Sequence, residues 1–459
     1  MRYEHFQHSL RTMRTMRFIS VLLLAGSLPA AGQSVPDLAG LVDAQLPGLV
    51  STYKDLHLHP ELSHFEVHTS AFLAAELRKA GYEVTERVGK YPDGSQAYGI
   101  VGVLKNGPGR TVLVRADLDG LPIEEQTGLP YASHDRGQTL DGNDAPAMHA
   151  CGHDIHITSL LGAARVLAQL KDQWRGTLIL IGQPSEETID GARAMIADHL
   201  YERFGRPDYV LGQHDDPLIP AGTAGIVSGA TFASGTSVDV TLRGVGGHGA
   251  RPEATKDPIV MAAEYILDIQ TIVSRQIPPQ EPAVVTVGTI RGGTKRNIIP
   301  DEVKLQLTTR AYSDAVRDKI VDSLQKMALR VATANGLPPD RMPIVTVSRT
   351  EVTPVTYNDP ALAARLKPVF VAALGAGSVV DWHAEMGSED FGLFGLPDNR
   401  IPAFFLRIGA TDPGKLAESQ RNGIPVPGLH SALFAPVASP TIRTGVIAMS
   451  AAVLDLMKK

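Results

Sequence analysis

The chain has 459 residues, with 43 Lys and Arg against 49 Asp and Glu, for a formal net charge of -6. Hydrophobic residues make up 43% and charged residues 20%, with no long run of one sign, which excludes a nucleic-acid surface and a polybasic membrane patch and describes an ordinary globular protein. That length exceeds what one core usually organises, so two domains are expected.

The first segment, residues 1–32, sets Arg11, Arg14 and Arg17 before FISVLLLAGSLPAAGQ, a short apolar run ending in small residues. This is the layout of a secretory signal peptide, and it is too short to span a bilayer. Cleavage near Ala31 to Gln33, with Met13 and Met16 as alternative starts, would leave an exported protein, periplasmic or secreted, without stable membrane insertion. Cysteines in such compartments usually pair. This chain has one, Cys151, set between two histidines in HACGHD. Either it is buried and inert, or a metal holds its thiolate.

Two helices are expected next, over residues 37–58 and 65–80, the second stopping at Gly81. The β-branched runs YEVTER, GIVGVL and RTVLVRAD follow, then a helix over 154–170, the strand TLILIGQ, a helix near 191–203 and the strand DYVLGQH. Strands alternating with helices predict an α/β catalytic domain, a mostly parallel sheet covered by helices, with binding groups gathered at the carboxyl ends of strands. Residues 232–350 read as strand, helix, two strands, helix, strand: SVDVTLRG, DPIVMAAEYILDIQTIVSR, AVVTVGTIRG, VKLQLTTR, DAVRDKIVDSLQKMALRVATANG and IVTVSRT. The βαββαβ order predicts a ferredoxin-like α+β domain. It is inserted between a first catalytic part, 33–231, and a second, 351–459.

Polar residues cluster where the strands end. Asp117 and Asp119 follow RTVLVRA, Glu186 and Glu187 follow TLILIGQPS, His214 closes DYVLGQ, HACGHD precedes a helix, and His430 lies in the loop PVPGLHSALF. Taken singly, paired acids are most often a solvated turn, and a lone His at a strand end is most often a hydrogen-bonded structural residue. Three such endings together with the single thiol are harder to explain that way. Thiolate, imidazole and carboxylate suit zinc or a neighbouring divalent transition metal.

RADLDGLP (115–122), MHACGHD (148–154), GQPSEE (182–187), GQH (212–214), GGHGARP (246–252), NIIPD (297–301) and MGSEDFG (386–392) occur in order. This pattern resembles the metal-dependent amidohydrolases that include hippurate hydrolases, N-acyl-amino-acid amidohydrolases and plant indole-acetyl-amino-acid hydrolases, a branch of the aminoacylase and carboxypeptidase family. The match runs from HPELS at 59–63 to His430. The resemblance implies two divalent metal ions per subunit, Zn or Mn with Co or Ni also tolerated, held by Cys151, His153, Glu187, His214 and His430. It makes Glu186 the general base and Asp119 the acid that orients the centre. Where the wider family has His-x-Asp, this chain has Asp117-Leu118-Asp119, which leaves the role of Asp117 open; Cys151 stands where an aspartate bridges the metals. The inserted domain becomes a lid that dimerises, and His248 of its Gly-rich turn reaches the partner's site as a donor to the oxyanion. Asn297 and Arg310 are candidate contacts for a substrate carboxylate.

Other polar groups receive plainer readings. His57, His59, His64 and His68 are expected to stay off the metal, with HPELS a helix boundary; His149 and His156 are candidate supports of the cluster; Glu389 and Asp390 are structural or supporting. The function implied is hydrolysis of the amide of an N-acyl-amino acid or short peptide. An exopeptidase acting on dipeptides or short peptides is the alternative. An exported solute-binding protein without turnover would have no need of Glu186 beside a full ligand set.

Overall fold

The computed structural model describes residues 37–395 and 401–459, so the expected leader over 1–32 lies outside the described residues. An eight-stranded sheet runs, in spatial order, Glu83–Lys90, Gln96–Asn106, Gly176–Gln183, Thr111–Asp117, Tyr209–Pro220, Ala403–Thr411, Ala224–Ile226 and Val379–Asp381. Its four middle strands, Gly176–Gln183 to Ala403–Thr411, pair in parallel. The strands Glu83–Lys90 and Gln96–Asn106 join antiparallel on one side, and Ala224–Ile226 joins antiparallel on the other.

Successive residues of the middle strands serve two different cores, as the period of two demands. Val112, Val114, Leu178 and Leu180 pack on one face, beneath the helices Leu38–Leu58, His153–Gln169 and Ala438–Leu456. Leu113, Ile179 and Ile181 pack on the other, with Phe391 and Phe405. Covering both faces is what makes these strands read as unbroken apolar runs. The helices approach closely at Gly162, where an added Cβ would lie 2.5 Å from Val446 Cγ2. Among the described residues no helix is long and apolar enough to cross a membrane.

The expected βαββαβ unit is present. Its strands lie in the order Ala283–Gly292, Glu302–Ala311, Ser234–Arg243, Ile344–Thr353, all antiparallel. Pro258–Thr271 and Asp314–Ala334 are its helices, each opened by a capping side chain: Asp257 accepts from the Ile259 amide and Ser313 from that of Val316. Val240, Leu305, Tyr265 and Leu324 belong to a core separate from that of the large sheet.

Three expectations need adjustment. The helix foreseen near 191–203 is two, Gly191–Ala197 and Leu200–Phe204, divided where His199 takes a left-handed φ of 60° that an α-helix cannot contain. The helix foreseen to run through SR at 274–275 ends at Thr271 and continues as a π turn, Ile272–Gln276. His214 does not close its strand, which runs on to Pro220 because Ala403–Thr411 pairs with it over that length. Thr111–Asp117, on the other side, pairs only as far as Gly212, so His214 still lies just past the end of that neighbour.

Phe404 is fully buried in the main core, and Phe404→Ala should cost about 3–5 kcal/mol. Urea unfolding followed by circular dichroism measures it, and a loss below about 1 kcal/mol would mean this face is not tightly packed.

Candidate metal centre

HACGHD turns sharply into the helix His153–Gln169. Gly152 sits at φ 77°, and an added Cβ would lie 2.4 Å from the Asp215 carboxylate oxygens, so only glycine lets the chain pass between Cys151 and His153. His153 Nδ1 donates to the main-chain oxygen of Asp119 at 2.7 Å, which leaves Nε2 buried and without a hydrogen-bond partner. His214 Nδ1 likewise donates to the Asp215 carbonyl at 2.7 Å, leaving its Nε2 3.5 Å from Cys151 Sγ. Carbonyl acceptors fix both tautomers and aim both free nitrogens inward.

The two glutamates leave Gly176–Gln183 through a turn held by Asp119. Its Oδ1 accepts from the Glu186 amide at 3.1 Å, and its Oδ2 from the Glu187 amide at 3.0 Å and from Ser63 Oγ at 2.7 Å. His430 enters from the second catalytic segment with φ 62°, tied by its amide to the Ala150 carbonyl at 2.8 Å. Its Nε2 stands 3.4 Å from Glu187 Oε2.

All five expected ligands therefore meet. Donor atoms of Cys151, His153 and His214 lie within 4.8 Å of one another, and so do those of Cys151, Glu187 and His430. The two trios share the sulfur. A third trio joins His153, Glu186 and Glu187. Glu187 Oε1 is buried and unpartnered, like His153 Nε2. Orphaned donors of this kind, around a thiol, fit a bound cation.

The electrostatics point the same way. Burial, then the nearby Glu187 and Glu186, pushes the Cys151 thiol well above its ordinary value. Burial lifts Glu187 to about 7, with His153 pulling the other way. Glu186 is raised well above the carboxylate range, chiefly by burial, then by Glu389 and Glu187. Burial would lower His153, but Asp117 and Asp119 outweigh it and carry the ring to about 10. Without a cation the groups hold protons that a metal would displace.

Behind the cluster lies a buried ion network that the motifs did not announce. Arg115, fully enclosed, meets Asp117 at 2.6 Å, Glu389 at 2.9 Å and Asp390 at 3.3 Å, while its Nε donates to Gln183 at 2.8 Å. Glu389 and Asp390 are thus structural, as expected. Asp117 also faces His156 Nδ1 at 2.6 Å, and His156 Nε2 accepts from the Asp215 amide at 3.0 Å, so His156 is a support of the cluster. With Asp117 Oδ2 3.7 Å from His153 Nε2, this acid is engaged by Arg115 and His156 at shorter range than by any ligand. An arginine inside an apolar strand had been the available signal, since a guanidinium there requires acids. Asp215, Ser63 and Glu66 were also missed. Both ring nitrogens of His149 are buried without hydrogen-bond partners among the described residues, and burial lowers it to about 4.

A cleft of about 510 Å³ opens on the cluster, walled by Phe232, Leu429 and Ile189 and reached by Arg310. The Arg310 guanidinium has no acidic partner among the described residues, and the bare Cα of Gly235 makes room for it: a Cβ there would lie 2.7 Å from Nη1. His248 and Asn297 are not part of this cleft. They are exposed on the inserted unit, His248 in the segment Gly247–His248 and Asn297 just before its pairing partner Ile298–Ile299. Of the histidines at 57–68, His57 is buried between Asp154 at 2.7 Å and Glu125 at 3.1 Å, and none joins the ligand trios named above.

Residues 113–426 match the family model for peptidase family M20/M25/M40. The hippurate hydrolase of Campylobacter jejuni is 38% identical over 341 residues, covering 74% of this chain and 82% of that protein. Thermostable carboxypeptidase 2 of Saccharolobus solfataricus is 33% identical over 370 residues, covering 80% and 87%. The crystal structure of the Bacillus subtilis YXEP protein, a dinuclear metal-binding peptidase of the M20 family, superposes with a TM-score of 0.70 at 26% identity, over 91% of this chain and 100% of that one.

Because Glu187 and the Cys151 thiol are both raised, metal must compete with protons at neutral pH. Isothermal titration with Mn²⁺ or Zn²⁺ should show the apparent Kd rising on acidification by about tenfold per pH unit for each proton displaced. A Kd constant between about pH 6 and 8 would rule out ligation by these groups.

Proposed function

The chain belongs to peptidase family M20/M25/M40, and from there we propose that it is a metal-dependent amidohydrolase releasing an amino acid from its N-acyl derivative. The observation that carries this is the pair of ligand trios sharing Cys151, with Glu186 beside them. Cys151, His153 and His214 would hold one divalent ion, and Cys151, Glu187 and His430 a second, with Zn²⁺ or Mn²⁺ best suited and Co²⁺ or Ni²⁺ tolerated. Bound there, such ions polarise an amide carbonyl and bring the pKa of water toward ~7.

The side chains do the rest. Glu186 takes the proton of the attacking water and hands it to the leaving amine nitrogen, a role worth about 10²- to 10⁴-fold. Asp119 keeps Glu186 and Glu187 pointing differently by holding their adjacent amides. Phe232, Leu429 and Ile189 receive the acyl group and exclude water. Arg310, without an acid of its own, takes the carboxylate of the amino-acid part. His248 and Asn297 complete the site of a second copy, which makes the working unit a homodimer through the inserted lid; their exposure on the inserted unit supports this reading. The basic and apolar leader supports export.

Glu186→Gln should retain both metals by elemental analysis while kcat falls about 10²- to 10⁴-fold; Glu187→Gln should lose metal first. Assays use N-acetyl- and N-benzoyl-amino acids and dipeptides. Faster dipeptide cleavage would make the protein an exopeptidase, and binding without release under any metal would make it a binding protein. His248→Ala should lower kcat about 10²- to 10³-fold. Refolding it as a mixture with Glu186→Gln should restore activity, because the mixed dimer carries one intact composite site. No recovery would place His248 outside the partner's reaction.

A further inference from the structure

The HPELSHFE segment, sequence-wise only a helix boundary, ends beneath the turn that carries the two glutamates. Three successive amides of that turn, Ser185, Glu186 and Glu187, point at two buried carboxylates supplied from elsewhere in the chain. Asp119 takes the second and third. Glu66 takes the first: its Oε1 accepts from the Ser185 amide at 2.7 Å, from Ser185 Oγ at 3.0 Å and from the His64 amide at 3.1 Å. The plain alternative is that Glu66 caps the helix Val67–Lys79, which it immediately precedes. It makes no side-chain cap bond to that helix. Its second oxygen, Oε2, is buried with no hydrogen-bond partner, so Ser185 and the neighbouring His64 amide receive everything this fully enclosed carboxylate offers.

Ser185 needs holding. It takes a left-handed φ of 53°, as does Ile189 four residues later, a conformation that non-glycine residues keep only when their surroundings impose it. The surroundings here are specific. Tyr91 places its hydroxyl 2.5 Å from Ser185 Oγ, and the His64 amide lies 2.9 Å from the same oxygen. The His64 ring stacks on Tyr91 at 3.8 Å, with its Nε2 3.0 Å from Asp190 at the far end of the turn.

We infer that Glu66 is a positioning residue for the Glu186–Glu187 pair, acting through Ser185: it fixes the backbone from which the proton carrier and the adjacent ligand both project. The inference rests on the proposed amidohydrolase reading. Side chains that orient a metal site without touching it typically matter by about 10- to 100-fold. Removing Glu66 leaves the Ser185 amide and hydroxyl without their acceptor and the His64 amide with Ser185 Oγ alone, and lets Ser185 relax; substrate contacts in the cleft are untouched.

The test compares Glu66→Ala and Glu66→Gln with the parent, as steady-state kinetics on an N-acyl-amino acid and as the visible spectrum of the Co²⁺-loaded protein. Glu66→Ala should lower kcat about 30-fold with KM within about twofold, and should shift the Co²⁺ bands because Glu187 no longer projects as before. Glu66→Gln keeps an amide oxygen for the same three donors and should recover kcat to within about threefold of the parent, with the parent spectrum. Should Glu66→Ala not fold, Tyr91→Phe removes the brace on Ser185 Oγ and should lower kcat about three- to tenfold at constant KM. Unchanged kcat in folded Glu66→Ala or in Tyr91→Phe, or a Glu66→Gln as impaired as Glu66→Ala with an unaltered spectrum, overturns the inference. A parent that binds Co²⁺ yet hydrolyses no acyl-amino acid overturns the substrate reading instead, and the Co²⁺ spectra still decide whether Glu66 positions the turn.

Discussion

Carboxylates crowded at the ends of parallel strands repel one another where little water is present to screen them. Asp117, Asp119, Glu186, Glu187, Asp215, Glu389 and Asp390 all lie in or behind one pocket, with Arg115 the guanidinium that answers several of them. The arrangement resolves this imbalance in two layers. At the back, Arg115 and His156 tie up Asp117, Glu389 and Asp390 by direct contact. At the front, Cys151, Glu187 and the inward histidine nitrogens meet one another rather than a guanidinium, and call for positive charge from outside the chain.

This division explains why the front residues are so firmly oriented. A ligand atom that swings freely gains little from a cation, so each is anchored through its other atoms: His153 and His214 through Nδ1 to carbonyls, His430 and both glutamates through their backbones. Gly152 permits the close approach of Asp215 behind Cys151. The large sheet contributes the rigidity, because strands packed on both faces cannot shift without disturbing two cores.

Much of this was legible in the residues. Strands alternating with helices announced the covered, mostly parallel sheet, and the strand, helix, strand, strand, helix, strand order over 232–350 announced the second unit. The five residues whose donor atoms converge were legible because they stand in short motifs. What escaped notice depended on partners far along the chain. Arg115 meets Glu389 274 positions later, and Glu66 meets Ser185 119 positions later, distances at which no local pattern operates. The break at His199 rests on a left-handed residue in an otherwise helical stretch, and the extension of the strand to Pro220 rests on Ala403–Thr411, which arrives from the other end of the chain. His248 and Asn297 could be located on a turn but not joined to the cleft, since one copy does not bring them there.

The order of the chain has a further consequence, carried by the insertion between His214 and His430. Synthesis runs from the amino terminus, so Cys151, His153, Glu187 and His214 emerge well before the last imidazole, separated from it by a unit with a hydrophobic core of its own. His430 reaches the others only when its backbone docks on Ala150, next to the thiol. A nascent polypeptide therefore presents an incomplete pocket, and cation uptake becomes a closing event of maturation, reporting that the two halves of the catalytic sheet have found each other.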